Sequence, residues 1–201
     1  MLNLIRRDVI LTKKLNLTFI PFILVFVFAD AHPILIFLAA SVFVPYNAYA
    51  YDEMAETGML LNSLPYTRKE IIASRYIGAI FYMIVSIALA CMILVFFGQS
   101  FTFTDIAIGI SLFLIFASMT FPLFYILKQG YVSIVVLFGG IIMVGIGPKL
   151  WFFFGKHLTT ITEFIHSLST VAIYTLVTVV TIAFYVVSWG FTTFIYQRKA
   201  L

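Results

Sequence analysis

Charge is scarce in this chain. Only 10% of its 201 residues are Asp, Glu, Lys or Arg, too few to solvate a globular surface. Cysteine is nearly absent: Cys91 stands alone, which excludes an internal disulfide or a paired redox motif and leaves a small hydrophobe in an apolar run. No GxxxxGK[ST] phosphate loop is present; Gly145-Ile146-Gly147-Pro148-Lys149 has the wrong spacing. No Ser or Cys stands in an evident pairing with a His for nucleophilic hydrolysis. His157, Glu163 and His166 lack any spacing that fixes a metal geometry, and read as solvated interface residues. These absences argue against catalysis by this chain and against a metal site. The net charge of +4 does not point to nucleic acid either, because the cations flank apolar runs instead of forming one patch.

What is present in abundance is apolar: 63% of residues are hydrophobic and the mean hydropathy is +1.13. The composition implies an all-α integral membrane protein. Apolar runs at 15–29, 33–49, 77–97, 106–127, 132–146 and 171–196 are expected to form six transmembrane helices, each judged against a hydrocarbon core of about 30 Å. The first is short and contains Pro21. Ala29-Asp30-Ala31 resembles a signal-peptide cleavage site, yet a second apolar run begins at Pro33, so a hairpin with Asp30 and His32 at its outer tip is the better reading.

Before the first span, residues 2–14 place Arg6, Arg7, Lys13 and Lys14 in one helical sector, away from Leu4, Ile5, Val9 and Leu11. Such a stretch is either an N-terminal amphipathic interfacial helix on an anionic leaflet or a topogenic charge cluster, and both put the N-terminus in the cytoplasm. With both termini cytoplasmic, only Lys149 and Lys156 of the twelve Lys and Arg residues fall outside. Within the fourth span, Pro122 should kink the helix and free a carbonyl, to be satisfied by a neighbouring helix or offered to a cavity. Gly139, Gly140, Gly145, Gly147 and Pro148 break the fifth run, so 147–170 is expected to be an extracellular re-entrant or interfacial segment. Spans two to six hold no Asp, Glu, Lys, Arg or His. An ion-coupled transporter needs such a group at membrane depth, so energy for uphill movement would have to come from a partner.

The port for that energy is the one long polar passage, residues 50–75. Glu53, Ala55 and Glu56 favour helix, Gly58 weakens it, and Met59, Leu60, Leu61 and Leu64 give an apolar edge. Pro65 breaks the chain. Thr67-Arg68-Lys69-Glu70 then fits a capping box ahead of Ile71 and Ile72, so a new helix should start here and run on into the bilayer.

Three passages, LNLIRRDVILTKK at the N-terminus, AYDE after the second span and LLNSLPYTRKEIIASRYIGAIFY, resemble permease subunits of ABC-2 type transporters. The likeness is to the small six-span branch of bacterial antibiotic, peptide and toxin exporters. The family's "LPxSRKEIxxxKY"-like passage reads here with Thr67 for the usual serine, which keeps the cap, and Arg75 for the usual lysine. The likeness covers roughly the first half of the chain. It implies a cytoplasmic coupling helix between spans two and three, in the bacterial cell membrane. It further implies a second permease as dimer partner and separate ATPase subunits that bind ATP and Mg, with no cofactor on this chain. Asp52, Glu53, Glu56, Met59, Leu60, Leu64, Pro65, Thr67, Arg68, Lys69 and Glu70 would then form the ATPase-coupling element, the acidic groups facing basic residues around an ATPase cleft and the apolar ones filling it. The substrate path would run along the dimer interface, with Phe43, Tyr46 and Asn47 as candidates and Thr120 and Pro122 behind them. Their uncharged, aromatic character suits an amphipathic or lipid-like cargo.

Two other classes fit the same span count. A substrate-capture subunit of a vitamin importer would retain a small ligand without nucleotide and need no acidic coupling element. A structural or immunity protein would engage no ATPase at all.

Overall fold

The computed structural model describes residues 13–54, 67–127, 131 and 169–198. Their secondary structure is helical, with no strand among them. In order, the helices are α1 (Lys13–Phe28), α2 (Pro33–Met54), α3 (Arg68–Phe96), α4 (Phe103–Ile126) and α5 (Thr170–Arg198). Three stretches, Arg68–Phe96, Phe103–Ile126 and Val171–Arg198, are long and apolar enough to cross a membrane, while Thr18–Phe28 and Pro33–Asn47 are shorter apolar helices. The described residues form an all-helical fold whose long apolar helices are those of a membrane protein. The run expected at 132–146, the segment 147–170 except for Ser169 and Thr170, and the interfacial stretch up to Thr12 lie outside the described residues.

Two helices run past the apolar runs they contain. Lys13 and Lys14, read as the end of the interfacial stretch 2–14, lie in α1, continuous with the first apolar run. Likewise α2 does not stop at Tyr49. It continues to Met54 and carries Asp52 and Glu53 on its last turn. No Gly or Pro lies between Pro45 and Gly58, and Ala48, Ala50, Glu53 and Met54 favour continuation.

The opposite ends of the helices are closed by two turns of one kind. Asp30 (φ 48°) and Gly98 (φ 69°) both take the left-handed conformation. The amides of Ala31 and Gln99 reach back to the carbonyls of Phe26 and Leu94, each at 3.0 Å, the Schellman arrangement that closes a helix. Gln99 links the two turns, its side-chain nitrogen donating to the Val27 carbonyl at 3.2 Å and lying 3.5 Å from Asp30 Oδ1. A second capping box follows, in which Thr102 and Asp105 start α4 by reciprocal side-chain to backbone bonds.

Helices α2, α3 and α4 form the centre; α1 packs on α2, and α5 packs on α4 and α3. The first four each contribute a stripe at helical spacing: Phe19, Ile23 and Val27; Ile36, Phe37, Ala40 and Val44; Ile72, Tyr76, Ala79 and Met83; Phe113, Ala117 and Phe124. Small residues bring the backbones together, as packing between apolar helices in lipid requires. At Gly109 the approach is so close that an added Cβ would lie 2.8 Å from Phe37 Cβ.

Candidate functional site

The polar passage singled out in the sequence delivers its chain into α3. Thr67 is extended (φ −71°, ψ 149°) and accepts from the Glu70 amide, while Glu70 Oε2 accepts from the Thr67 amide and hydroxyl, both at 2.9 Å. Those bonds, the backbone one foremost, hold the Glu70 carboxyl below its ordinary value. From this cap α3 runs 29 residues without interruption, about 43 Å at the usual rise. That exceeds a hydrocarbon core of about 30 Å, long enough for the polar turns from Arg68 to Arg75 to extend beyond it.

Arg68, the first residue of α3, turns sideways to the end of α5. Its Nη1 donates to the carbonyls of Tyr196 (3.2 Å) and Gln197 (3.0 Å), and its guanidinium stands 6.0 Å from the centre of the Tyr196 ring. Carbonyls in the last turn of a helix have no partner within it and carry the negative end of its dipole. A cation from another helix therefore caps α5, and the start of α3 and the end of α5 become one unit. Tyr125 of α4 joins it through the Tyr196 ring, at a centroid distance of 5.1 Å.

Deeper along the same helices lies a polar cluster. Tyr76 Oη is 2.8 Å from Ser188 Oγ and 2.7 Å from Thr192 Oγ1. Ser188 Oγ donates to the Ser118 carbonyl at 2.7 Å, Thr192 Oγ1 to the Ser188 carbonyl at 2.8 Å, and Tyr185 Oη to the Tyr76 carbonyl at 2.8 Å. Tyr76, Ser188 and Thr192 thus have three hydroxyl protons for four contacts, so one contact lacks a proton at any instant and the cluster can switch donors. Around it Tyr76 stacks on Trp189 (5.8 Å, 12°) and meets Phe121 and Tyr185 edge-on at 4.9 and 5.0 Å. This cluster escaped the sequence reading. Its trace is the sequence Thr181, Tyr185, Ser188, Thr192, a buried polar stripe at helical period on the otherwise apolar α5.

Beside it a cavity of about 30 Å³ is lined by Pro45, Ser74, Arg75, Tyr76, Phe121 and Tyr125, among others. None of the proposed path residues is among those that line it. Phe43 is turned to α1, stacked on Phe22 at 4.5 Å and edge-on to Phe19 at 5.8 Å. Asn47 Nδ2 donates to its own helix at the Phe43 carbonyl (2.7 Å), and Thr120 Oγ1 does the same at Phe116 (2.7 Å). Tyr46 is half-buried, and Thr120 and Pro122 are buried within the bundle. Tyr46 follows the cavity residue Pro45, and Thr120 and Pro122 flank the cavity residue Phe121.

Of the coupling residues, the structure describes Thr67, Arg68, Lys69 and Glu70 fully and the backbone of Asp52 and Glu53. Glu56, Met59, Leu60, Leu64 and Pro65 lie outside the described residues, as do Arg6 and Arg7, and the set His157, Glu163 and His166. Among the described residues no cluster of His, Cys, Asp and Glu could hold a metal.

A family model described as ABC-2 family transporter protein matches residues 3–197. No curated protein and no solved structure matches the chain significantly.

Proposed function

Because this chain belongs to the ABC-2 transporter family, we propose that it is the membrane-spanning permease subunit of an ATP-driven exporter in a bacterial cytoplasmic membrane. Six spans with both termini in the cytoplasm would put the Thr67 end of the bundle inside and the Asp30 and Gly98 turns outside, in keeping with the distribution of Lys and Arg. ATP and Mg would be bound by separate ATPase subunits docked on residues 52–70, and a second permease would complete the path. The cargo class that suits the uncharged, aromatic residues from Phe43 to Asn47 is an amphipathic or lipid-like molecule.

One observation carries this reading: the capped start of α3 is both the end of the polar passage and, through Arg68, the cap of α5. A pull on Thr67 would reach α3 through its cap and α5 through Arg68. An ATPase that engages the acidic residues there could move α3 and α5 together, with α4 carried along by its bonds to α5, relative to α2.

The test is reconstitution with the candidate ATPase. Co-purification and permease-stimulated ATP hydrolysis are expected, and Glu53→Lys combined with Glu56→Lys should abolish both. Undiminished docking and transport by that double variant would move the port elsewhere on the chain.

A further inference from the structure

Each of the five described helices holds a proline or a glycine in its interior: Pro21 in α1, Pro45 in α2, Gly78 in α3, Gly109 and Pro122 in α4, and Gly190 in α5. Gly109 is accounted for by its contact with Phe37. The others fall at one level of the bundle. Phe19 and Phe22, on either side of Pro21, both meet the ring of Phe43, two residues from Pro45. Pro45 and Gly78 line one cavity together with Phe121, the neighbour of Pro122. Tyr76, two residues from Gly78, bonds to Ser188 and Thr192, which stand on either side of Gly190. We propose that this slab is a hinge, about which the end of the bundle carrying Arg68 and Tyr196 tilts against the end carrying Asp30 and Gly98.

The backbone of the slab is weakened in every helix. A proline leaves the carbonyl four residues before it without its helical donor, and a glycine inside a helix keeps more backbone freedom than any other residue, so bends concentrate at both. With such residues at one level, neighbouring helices bend together instead of shearing the side chains packed between them. There is also room. A cavity of about 30 Å³ lies between α2, α3 and α4 at this level, and a Cβ added at Gly78 or Gly190 meets nothing within 4 Å. The hydrogen bonds here are exchangeable as well. Ser188 and Thr192 are one turn apart on α5, so the Tyr76 hydroxyl can keep one of them while α3 tilts away from the other.

On either side of the slab the bundle is braced. Arg68 fastens α3 to the Tyr196 and Gln197 carbonyls of α5, and the Tyr196 ring holds Tyr125 of α4. At the opposite end Gln99, just past α3, donates to the Val27 carbonyl of α1, and Gly109 of α4 lies against Phe37 of α2. Two braced ends separated by a weakened layer are the arrangement of a hinge between two bodies. Such a hinge deepens the proposed coupling, because a pull at Thr67 would tilt the braced end. It does not rest on that coupling, since bending belongs to this chain and is read without an ATPase.

Nitroxide labels on the full-length protein in lipid nanodiscs measure it, with the single native cysteine removed as Cys91→Ala. One pair lies within the Arg68 end, on Lys69 and Gln197, and one within the Asp30 end, on Phe28 and Phe103. Two pairs cross the slab, Lys69 with Phe103 and Gln197 with Phe28; all four labelled side chains are exposed. In the parent, distance distributions across the slab are expected to be broader than those within either end. Gly78→Ala combined with Gly190→Ala should deplete the bent population roughly fivefold per glycine, the effect of the difference in helix propensity, and leave the pairs within each end unchanged. Thr175→Ala strengthens α5 at an exposed position outside the slab and should change neither. Distributions across the slab that are as narrow as those within the ends overturn the hinge, as does a glycine double variant that leaves them broad. Equal narrowing by Thr175→Ala, or narrowing of all pairs alike by the glycine variant, also overturns it, since the substitutions would then stiffen helices in general.

Discussion

Ser188 of α5 gives the Ser118 carbonyl of α4 the hydrogen bond that Pro122 cannot, at 2.7 Å. Proline has no amide hydrogen, so the carbonyl four residues before it is orphaned in a bilayer interior that offers no water. Here the donor comes from another helix, and the repair fastens α4 to α5 at the level where Tyr76 of α3 also arrives. Helix α4 continues through Pro122 to Ile126. The proline thus converts a bond within one helix into a bond between two.

Ser188→Ala should therefore destabilise the bundle by about 1 kcal/mol, the upper range for hydrogen bonds between membrane helices. Pro122→Ala restores an amide that can serve Ser118, so the loss from Ser188→Ala should shrink in that background. A double-mutant cycle of thermal stability in detergent checks the sign of the coupling. Additive losses would show that the Ser118 carbonyl does not depend on Ser188.

Backbone contact makes a second, independent prediction. A Cβ at Gly109 would sit 2.8 Å from Phe37 Cβ, whereas one at Gly78, beside the cavity, or at Gly190 meets nothing within 4 Å. Gly109→Ala must push α2 from α4 and should cost about 1–3 kcal/mol, the usual penalty for overpacking. Gly78→Ala and Gly190→Ala should instead gain up to about 1 kcal/mol from helix propensity. Unfolding midpoints of the three purified variants measure the contrast.

Features that depend on a few neighbouring residues were legible in the sequence: the capping box at Thr67, the hairpin tip at Asp30 and the carbonyl freed by Pro122. Each follows from the local chemistry of the backbone. The sequence marked where the apolar run ends, near Tyr49, and helix-favouring residues from Glu53 on, but not that one helix runs through both, which follows from the lack of a breaker after Pro45. The partnership of Tyr76 with Ser188 and Thr192, and of Arg68 with Tyr196 and Gln197, could not be read at all. Serine and threonine bond to their own helix as readily as to another, as Asn47 and Thr120 do here, so only the packing shows which of them reach across.

Acid should loosen the start of α3. The Glu70 carboxyl is held below its ordinary value of 4.5 by the Thr67 bonds. Its contribution is thus complete above that pH and is lost as the pH falls through the depressed folded value. Hydrogen exchange of the first-turn amides, corrected for intrinsic rates, should show protection that declines only in that acidic range. Thr67→Ala should lower neutral-pH protection by roughly fivefold and remove the acid dependence. A Thr67→Ala profile that kept the same acid limb would assign the titration to another group.

The bond from Arg68 to the end of α5 separates two ways in which α3 could transmit a displacement. If α3 moves alone, its neighbours need only slide; if Arg68 carries α5 along, both helices move as one lever. The guanidinium reaches two carbonyls from one nitrogen, which a lysine ammonium with its three donors can match in part, but without the planar group that stands at the Tyr196 ring. Arg68→Ala should fray the last turn of α5 and cost about 1 kcal/mol of stability, with Arg68→Lys intermediate. Spin labels near the two ends, on Lys69 and Gln197, should show a narrow distance distribution in the parent and a broad one in Arg68→Ala. In a reconstituted complex, Arg68→Ala is expected to leave ATPase docking intact while lowering transport per ATP hydrolysed, since the passage would still be gripped but would move one helix instead of two. Unchanged distances together with an unchanged transport ratio would reduce Arg68 to an ordinary helix cap.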